Sequence, residues 1–348
     1  MGAARGAAIG VMLAVAVSST TVFGDNQRTI VMEEFNVPAT DTGIALYVRN
    51  KHPADISRVT PEQTVLFVHG ATFPAEAAFD LAPDGPSWMD FVAGHGFDAY
   101  LVDVRGYGRS TRPPEMDVPA DRNPPIADTE TAVRDVSAAV NFILARRGVP
   151  RLALIGWSWG TSIMASFTAQ HASKVERLIL YAPGWIRQAS EHTQPGAALG
   201  AYRAVTQETA LKRWLAGVPE EKKGELIPAG WFDQWAEATF ATDAVGSKAN
   251  PPVLRAPNGV VQDFRNYWAQ GKPIYDPARI TVPVLLVRAE WDQESLAEMV
   301  QALFPLLVNA PYKRSVTIGE GTHFVLWEKN RGQLFEEVQL FLEEPHSR

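Results

Sequence analysis

One serine of this chain stands in a pattern that could make it a nucleophile. Ser158 is the centre of Gly-Trp-Ser-Trp-Gly at 156–160, after the apolar run 152–155 and before a small-residue segment, 161–169, typical of a helix. A serine on a sharp strand-to-helix turn needs glycine neighbours, because the backbone doubles back against itself there. The turn also puts the hydroxyl at a helix N-terminus, where unpaired N–H groups and the helix dipole favour negative charge. The pattern predicts a nucleophilic serine, although two glycines around a serine also mark ordinary turns.

The chain must also supply a base and an acid, because a serine hydroxyl is a poor nucleophile until its proton is removed. His323 lies in the glycine-rich turn 319–324, which follows a predicted strand. Asp292 follows the buried-strand run 284–287. Considered alone, each of these two residues could equally be a solvent-exposed loop residue or a catalytic one. Two other acids are nearby substitutes for the aspartate, namely Glu290 and Glu294.

Nucleophile, acid and base occur in the order Ser158, Asp292, His323, which is the chain order of the α/β-hydrolase triad. Two further segments agree, because 65–72 runs from a strand into a His-Gly turn and 101–110 runs from a strand into Arg-Gly-Tyr-Gly. On these five motifs, nearly all of the chain resembles the α/β-hydrolase superfamily. The resemblance implies an α/β fold with a mostly parallel, eight-stranded sheet flanked by helices, and a helical cap inserted after the sixth strand.

Two backbone N–H groups are expected to stabilise the oxyanion that such a reaction forms. The turn around the serine predicts the N–H of Trp159 as the first donor, at the start of the helix. The resemblance implies that Ala71, the residue after the His-Gly pair, supplies the second, with Thr72 or Phe73 as the fallback. It also implies that His69 braces this loop and does not act in catalysis.

The composition fits one sizeable catalytic domain and argues against several function classes. The 348 residues are 46% hydrophobic and 20% charged. The formal net charge of -7 argues against nucleic acid as a partner. The absence of cysteine excludes disulfides and thiol chemistry, and the histidines and acids are too dispersed for a metal site. No cofactor is expected, since the partners of a serine triad are a small ester substrate and water.

Residues 1–24 predict an export signal peptide. Arg5 precedes an apolar stretch, 6–17, that falls well short of the roughly 20 residues needed to span a bilayer. Val22 and Gly24 offer a small-residue cleavage site. Cleavage would leave a single mature domain, 25–348, that works in a periplasm or outside the cell without a stable membrane span. A retained anchor or a simple alanine-rich tail is the alternative.

Strand-like and helix-like segments alternate along the chain, as a mostly parallel sheet requires. Segments 29–37 and 44–48 predict an antiparallel pair of strands that opens the sheet. A long helix is expected at 131–146, where apolar residues recur at helical spacing and form one stripe. After the strand predicted at 177–181, the alternation stops. The interruption predicts the cap at about 185–276.

The cap is rich in aromatic residues, which could line a pocket or hold the cap together. In the resembling family, an insertion at this place covers the triad, excludes water and shapes an apolar pocket. Most of these aromatics are nevertheless expected to pack in the core of the cap. The predicted pocket residues are Thr72, Phe73, Trp157, Trp185 and Trp291.

The mechanism predicted from these residues is two-step acyl transfer. His323 deprotonates Ser158, the alkoxide attacks an ester carbonyl, and Asp292 stabilises the imidazolium. An aromatic cap favours uncharged esters or lactones of small to medium size. Haloalkane dehalogenases and epoxide hydrolases resemble this architecture but carry aspartate at the elbow, so the serine speaks against both.

Three alternatives remain on the same scaffold. Proline iminopeptidases share the tryptophan after the serine, but their turn reads His-Gly-Gly-Pro-Gly where this chain has His-Gly-Ala-Thr at 69–72. Hydrolases of carbon–carbon bonds use the same triad, and their anionic substrates would require cap arginines such as Arg203, Arg213 or Arg265. A ligand-binding module that keeps the triad without turnover, as in certain hormone receptors of this fold, is the third.

Overall fold

A nine-stranded sheet runs through the computed structural model, which describes residues 17–23, 26–186 and 198–345. Two further strands pair with each other outside this sheet. In chain order the strands are β1 (Val17–Phe23), β2 (Asn26–Pro38), β3 (Ala45–Pro53), β4 (Thr64–Val68), β5 (Asp98–Val102), β6 (Leu152–Trp157), β7 (Val175–Tyr181), β8 (Tyr202–Thr206), β9 (Val253–Pro257), β10 (Val284–Ala289) and β11 (Lys313–Ile318).

The strands of the large sheet lie in the order β1-β2-β3-β5-β4-β6-β7-β10-β11. The three pairs that involve β2 or β3 are antiparallel, and the other five pairs are parallel. The antiparallel entry pair predicted from the sequence is confirmed as β2 and β3. Eight of the nine strands are those that the sequence predicts, so the mostly parallel sheet of the α/β fold is confirmed. The last strand before the cap, β7, is the sixth of these eight.

The ninth strand, β1, pairs along its whole length with β2 at the edge of the sheet. It falls within residues 1–24, the predicted export peptide, of which residues 1–16 and 24 lie outside the described residues. The export peptide therefore stays a prediction. Cleavage near residue 24 would remove β1 and leave β2 as the edge of an eight-stranded sheet.

The described residues form ten α-helices. None of them is long and apolar enough to cross a membrane. They are α1 (Ala75–Phe79), α2 (Trp88–Gly94), α3 (Thr129–Arg147), α4 (Trp159–His171), α5 (Gln207–Trp214), α6 (Lys223–Leu226), α7 (Trp231–Ala241), α8 (Gly259–Asn266), α9 (Ala297–Leu303) and α10 (Arg331–Glu343).

Both faces of the sheet are covered, because successive strand residues point to opposite sides. In β4, Leu66 and Val68 belong to an apolar cluster that contains residues of α3 and α4. Val65 and Phe67 belong to the opposite cluster, with residues of α2 and α10. Every residue of β4, β5, β6 and β7 is buried, which explains why these strands read as continuous apolar runs. The carboxyl ends of the parallel strands meet at one edge of this covered sheet.

The long helix predicted at 131–146 is confirmed as α3, with slightly wider bounds. The Asp128 side chain accepts a hydrogen bond from the Thr131 N–H (2.8 Å) and satisfies one of the free donors at the helix start. At the other end, Gly148 takes a left-handed conformation (φ 66°) that terminates the helix.

The insertion between β7 and β10 contains α5, α6, α7 and α8, as the prediction of a helical cap requires. It also contains the two-stranded antiparallel sheet of β8 and β9, which the sequence analysis did not predict. These strands are short and only partly apolar, and they are separated by three helices, so no hairpin signal joins them. Residues 187–197, at the start of the insertion, lie outside the described residues.

Candidate active site

Ser158 occupies a strained turn between β6 and α4. Its backbone has φ 56° and ψ -120°, which is rare for a residue with a side chain and costs about 1–3 kcal/mol. Two hydrogen bonds hold the turn: the Ser158 N–H donates to the Tyr181 carbonyl and the Thr161 N–H to the Ser158 carbonyl, both at 2.9 Å. Strain of this kind persists only where the surrounding structure enforces it, and it is common at functional sites.

Glycines enforce the turn from three sides. A Cβ at Gly156 would overlap the carbonyl of Gly160, and a Cβ at Gly160 would overlap the carbonyl of Val68 in β4. A Cβ at Gly70 would come within 3.0 Å of the Ser158 Cβ. The Gly-x-Ser-x-Gly spacing is therefore a packing requirement, and it brings the turn after β4 directly against the serine.

The carboxylate of Asp292 holds the ring of His323. The His323 Nδ1 lies 2.9 Å from Asp292 Oδ2 and 3.1 Å from Oδ1. Asp292 Oδ1 also accepts the N–H groups of Glu294 (2.7 Å) and Ser295 (2.8 Å), which fixes the carboxylate in the loop after β10. Both partners are buried. Because the Asp292 carboxylate accepts a hydrogen bond from the Nδ1–H group, the lone pair of neutral His323 lies on Nε2.

The Nε2 atom of His323 is buried without a hydrogen-bond partner. Ser158 and His323 line the same cavity, but no hydrogen bond joins their side chains in the described residues. The Oε2 atom of Glu294 lies 3.5 Å from Nε2. Burial alone would lower the pKa of His323, but the negative charges of Asp292 and Glu294 outweigh it and raise the pKa above its ordinary value. His323 therefore binds a proton more tightly than an isolated imidazole does.

Residues 69–73 form the turn after β4 and are called the oxyanion turn after the role predicted for Ala71. This turn is braced by its own histidine. His69 Nδ1 lies 2.7 Å from the Gly70 carbonyl, and its Nε2 accepts the Val104 N–H at 3.1 Å. Burial lowers the pKa of His69 to about 4, so the ring is neutral. Because Nε2 is the acceptor, Nδ1 carries the proton and donates a hydrogen bond to the Gly70 carbonyl. This is the bracing contact that the family resemblance implies for His69.

The two predicted oxyanion donors, Ala71 and Trp159, both line the cavity beside Ser158. The Trp159 N–H begins α4 and has no intrahelical acceptor. The Ala71 carbonyl accepts hydrogen bonds from the Tyr107 hydroxyl (2.8 Å) and from Arg203 (2.5 Å). These contacts fix the Ala71–Thr72 peptide, and the His69 contact to the Gly70 carbonyl fixes the preceding peptide, which carries the Ala71 N–H.

Comparison with known families decides the identity of the fold. Residues 63–330, more than half of the chain, match the family described as the alpha/beta hydrolase fold. The chain belongs to this family. Human lipase member M is 30% identical over 159 residues, which are 43% of this chain and 36% of that lipase. The matching part thus spans about a third of this relative.

Solved structures share the alpha/beta hydrolase fold at low identity. An esterase from Thermogutta terrifontis with malate bound is 16% identical with a TM-score of 0.59, covering 90% of this chain and 99% of the esterase. A serine hydrolase involved in carbazole degradation is also 16% identical with a TM-score of 0.59, covering 89% of this chain and 98% of its own. At such identities the likeness shows the fold alone.

The cavity of this alpha/beta hydrolase has a volume of about 600 Å³ and lies between the strand ends and the cap. Its polar or charged lining residues are Thr72, Ser158, Ser162, Arg203, Thr209, Arg213, Gln293, Glu294 and His323. Its apolar lining residues include Trp159, Trp185, Val260, Phe264, Trp268 and Met299. The cavity can therefore hold a molecule with an apolar body and a polar end.

Two of the five predicted pocket residues, Thr72 and Trp185, line this cavity. The other three do not. Trp157 is buried beneath His323 and donates its indole N–H to the His323 carbonyl (3.1 Å). Phe73 packs against Trp235 of α7 in an aromatic cluster between cap and core. Trp291 is half-buried, and its backbone N–H donates to Gly321. Proximity in sequence to the serine or the acid did not reveal the direction of these side chains.

Two cap arginines reach the oxyanion turn. The Thr72 hydroxyl oxygen accepts hydrogen bonds from Arg203 (3.0 Å) and Arg213 (3.1 Å). Arg213 also forms a two-point ion pair with Glu294, with both N–O distances at 2.5 Å. Burial would raise the pKa of Glu294, but the charges of His323 and Arg213 lower it to about 2. From the sequence, Glu294 was predicted only as a substitute acid for Asp292.

Glu328, a buried carboxylate behind the histidine, was not predicted from the sequence. It accepts the backbone N–H of Thr322 (3.0 Å), the Thr322 hydroxyl, and the indole N–H of Trp214 in α5 (2.9 Å). Burial raises the pKa of Glu328 to about 7, although these hydrogen bonds oppose the rise. Glu328 ties the cap to the loop that carries His323. A charged residue directly after the apolar run 324–327 was the available signal.

Within the residues that the structure describes, no group of three His, Cys, Asp or Glu side chains could hold a metal ion. The chemistry available in the cavity comes from the serine hydroxyl, the imidazole, the carboxylates and the two guanidinium groups.

Proposed function

We propose that this alpha/beta hydrolase is a serine hydrolase that cleaves carboxylic esters or lactones of small to medium, largely apolar substrates. The observation that carries the proposal is the strained turn of Ser158, which is pressed against Gly70 and shares a cavity with an Asp292-bound His323. A hydroxyl, an oriented imidazole and adjacent free amides are the parts that acyl transfer needs.

In the proposed reaction, His323 Nε2 takes the proton of the Ser158 hydroxyl as the oxygen attacks the ester carbonyl carbon. The Asp292 carboxylate stabilises the imidazolium that forms. The N–H groups of Ala71 and Trp159 donate to the negative oxygen of the tetrahedral intermediate. His323 then gives its proton to the departing alcohol, which leaves the acyl group on Ser158.

The second half of the proposed reaction repeats these steps with water. His323 takes a proton from water, the hydroxide attacks the acyl carbonyl, and the proton returns to the Ser158 oxygen as the acid leaves. The substrates and products are small molecules, and water is the other reactant. Ser158 and His323 must come within hydrogen-bonding distance for this chemistry, and such contacts often tighten only when substrate binds.

The apolar lining residues support an ester with a hydrocarbon acyl or alcohol part. Trp159, Trp185, Val260, Phe264 and Trp268 can cover such a group and exclude water from the carbonyl. The proline iminopeptidase alternative has no observation in its favour beyond the sequence motif. A ligand-binding module remains the alternative that a lack of turnover would support.

Cleavage of carbon–carbon bonds is a second candidate function, because two of the arginines it would require line the cavity. Arg203 and Arg213 lie beside Thr72. Arg265, the third arginine considered, does not line this cavity. The serine, histidine and aspartate would serve this reaction as they serve ester hydrolysis.

The test is steady-state hydrolysis of 4-nitrophenyl butyrate by the full chain, compared with Ser158→Ala and with proline 4-nitroanilide as substrate. We expect ester turnover that the substitution abolishes and no anilide turnover. Labelling of Ser158 by a fluorophosphonate without ester turnover would contradict the esterase proposal and favour another bond or a binding module. Anilide turnover would favour the peptidase.

We also propose that the protein is exported to a periplasm or the cell exterior. The support is the charged start and short apolar stretch of residues 1–24. N-terminal sequencing of protein recovered from the periplasm or medium should give a start near Asp25. An intact Met1 terminus on cytosolic protein would contradict export.

A further inference from the structure

The charged part of the cavity wall has more positive than negative groups. Among the described lining residues, Arg203 and Arg213 are cationic and Glu294 is anionic. The ion pair with Glu294 compensates the charge of Arg213. His323 adds no negative charge, and Asp292 lies behind it, on the far side of its ring from Nε2. Among the described residues, Arg203 has no carboxylate within ion-pairing distance, and Glu294 acts on its charge only from farther away.

The hydrogen-bond partners of Arg203 are neutral. One terminal nitrogen donates to the Pro257 carbonyl (2.5 Å), and the other donates to Ala71 and Thr72. In the described residues, none of its hydrogen bonds goes to a carboxylate. The cap supplies a contrasting case, because Arg255 forms a two-point hydrogen-bonded pair with Asp243. Arginine in a partly closed site usually has such an anionic partner.

The Thr72 hydroxyl can donate one further hydrogen bond. Its oxygen accepts hydrogen bonds from both arginines, and the hydroxyl hydrogen has no acceptor among the described residues. Thr72 is 4% exposed and lines the cavity. Two guanidinium groups that converge on one oxygen also repel each other, and this proximity helps to lower the pKa of Arg203, after the larger effect of burial. An anion here would relieve the repulsion and accept from Thr72.

We propose that Arg203, with Thr72 and Arg213, forms a subsite for a carboxylate of the substrate. This proposal rests on the proposed ester hydrolysis and narrows its substrate class to esters that carry one carboxylate and an apolar body. A carboxylate accepts charge-assisted hydrogen bonds from a guanidinium and a further one from a hydroxyl. Its position follows from the chain, since Thr72 is next to Ala71 and therefore close to the carbonyl that Ser158 attacks.

The rest of such a substrate suits the apolar lining of the cavity. Val260, Phe264 and Trp268 of the cap are among its apolar lining residues. An acid end beside the oxyanion turn and a hydrocarbon part against these side chains would use both kinds of lining residue. A neutral ester of the same length would leave the charge of Arg203 without an anionic partner, so it should react less efficiently.

The test compares mono-4-nitrophenyl adipate with its methyl ester, which has the same chain but no charge. We expect the full chain to hydrolyse the acid with at least about a tenfold higher kcat/KM, a preference that corresponds to about 1.4 kcal/mol. Arg203→Gln should remove most of this preference, mainly through KM for the acid. Arg203→Lys keeps the charge and should restore part of it. Arg203 also contacts the Ala71 carbonyl, so the preference is taken as the ratio of kcat/KM for the two esters within each variant. Thermal unfolding followed by circular dichroism reports whether each variant is still folded.

A direct binding measurement separates this proposal from the proposed function. Calorimetric titration of adipate into Ser158→Ala protein should show binding that the added Arg203→Gln substitution abolishes. Equal turnover of both esters without adipate binding would overturn the carboxylate subsite and leave ester hydrolysis intact. If neither ester is hydrolysed, ester hydrolysis is overturned, and adipate binding that depends on Arg203 would still support the subsite. Adipate binding that Arg203→Gln leaves unchanged would overturn it.

Discussion

The two ends of the cavity are held in place in different ways. At one end, the backbone packs so closely around the turn of Ser158 that Gly70, Gly156 and Gly160 have little or no room for side chains of their own. The packed backbone therefore fixes the position of the serine. At the other end, Arg203 and Arg213 reach the oxyanion turn from the cap through side-chain hydrogen bonds. Changes at the first end should therefore disrupt folding or chemistry, whereas changes at the second should alter specificity, stability or pH dependence.

The largest effect is expected from Gly160→Ala. The new methyl group would overlap the carbonyls of Val68 and His69, which belong to β4 and the oxyanion turn and cannot move independently. We expect a loss of more than about 4 kcal/mol in the free energy of unfolding, the range of severe core disruption, together with loss of ester hydrolysis. Urea unfolding and 4-nitrophenyl butyrate turnover measure the two effects.

Gly224→Ala is the matched control, because a Cβ there meets no atom within 4 Å. Gly224 lies in α6, where alanine is the better helix former by about 1 kcal/mol. This variant should keep wild-type turnover and equal or higher stability. Normal activity in Gly160→Ala would show that side-chain contacts, and not the backbone, fix the serine.

Asp292→Asn should be the next largest change. Oδ1 can still accept the N–H groups of Glu294 and Ser295, so the loop should keep its shape. The atom that replaces Oδ2 becomes an N–H donor facing His323 Nδ1, which favours the wrong tautomer of the ring. By analogy with other serine triads, kcat should fall by roughly 10³ to 10⁴-fold with little change in KM. A fall of less than tenfold would mean that Asp292 does not orient the base.

The same contrast explains what the sequence could predict. Ser158, Asp292 and His323 were found because each follows a strand, and a strand end is marked by a local change from apolar residues to glycine or polar residues. The order of the three along the chain then supplied the family. The strands themselves were recognisable because burial on both faces leaves continuous apolar runs.

The cap end could not be predicted in the same way. The contact between Arg213 and Thr72 joins residues 141 positions apart, and the one between Arg203 and Thr72 joins residues 131 apart. No local pattern encodes which arginine of a cap turns inward. The resemblance named both arginines only as requirements of one alternative, and the ion pair of Arg213 with Glu294 was not foreseen. Such contacts depend on how the cap docks, which the sequence pattern does not specify.

A smaller effect is expected at Glu328, which joins the cap to the loop of His323. Its pKa is raised from 4.5 to about 7 in the folded protein, so the folded state binds the proton more tightly than the unfolded state. The resulting contribution to stability is present below pH 4.5 and is lost as the pH rises through 7. The loss amounts to about 3 kcal/mol at most.

Glu328→Gln should therefore flatten the pH dependence of stability. The difference in free energy of unfolding between variant and wild type should move in favour of the variant as the pH rises from 5 to 8. The raised pKa of His323 acts in the same direction in both proteins and cancels in this difference. Urea unfolding at several pH values measures it, and parallel curves for the two proteins would mean that Glu328 is ionised throughout this range.

The smallest change should come from Glu294→Gln, and it sharpens the comparison because this residue links the two ends. The charged groups that face His323 are Asp292 and Glu294 in the loop after β10 and Arg213 in α5. Loss of the Glu294 charge removes one cause of the raised pKa of His323. Since the base must be neutral to accept the serine proton, the acid limb of kcat/KM for 4-nitrophenyl butyrate should move to lower pH.

Arg213→Gln should move this acid limb to higher pH, because a positive charge near the imidazolium is lost and Glu294 is released towards Nε2. Opposite shifts would show that the cap ion pair sets the proton affinity of the histidine. Shifts in the same direction, or none, would mean that Glu294 and Arg213 act on His323 only through packing.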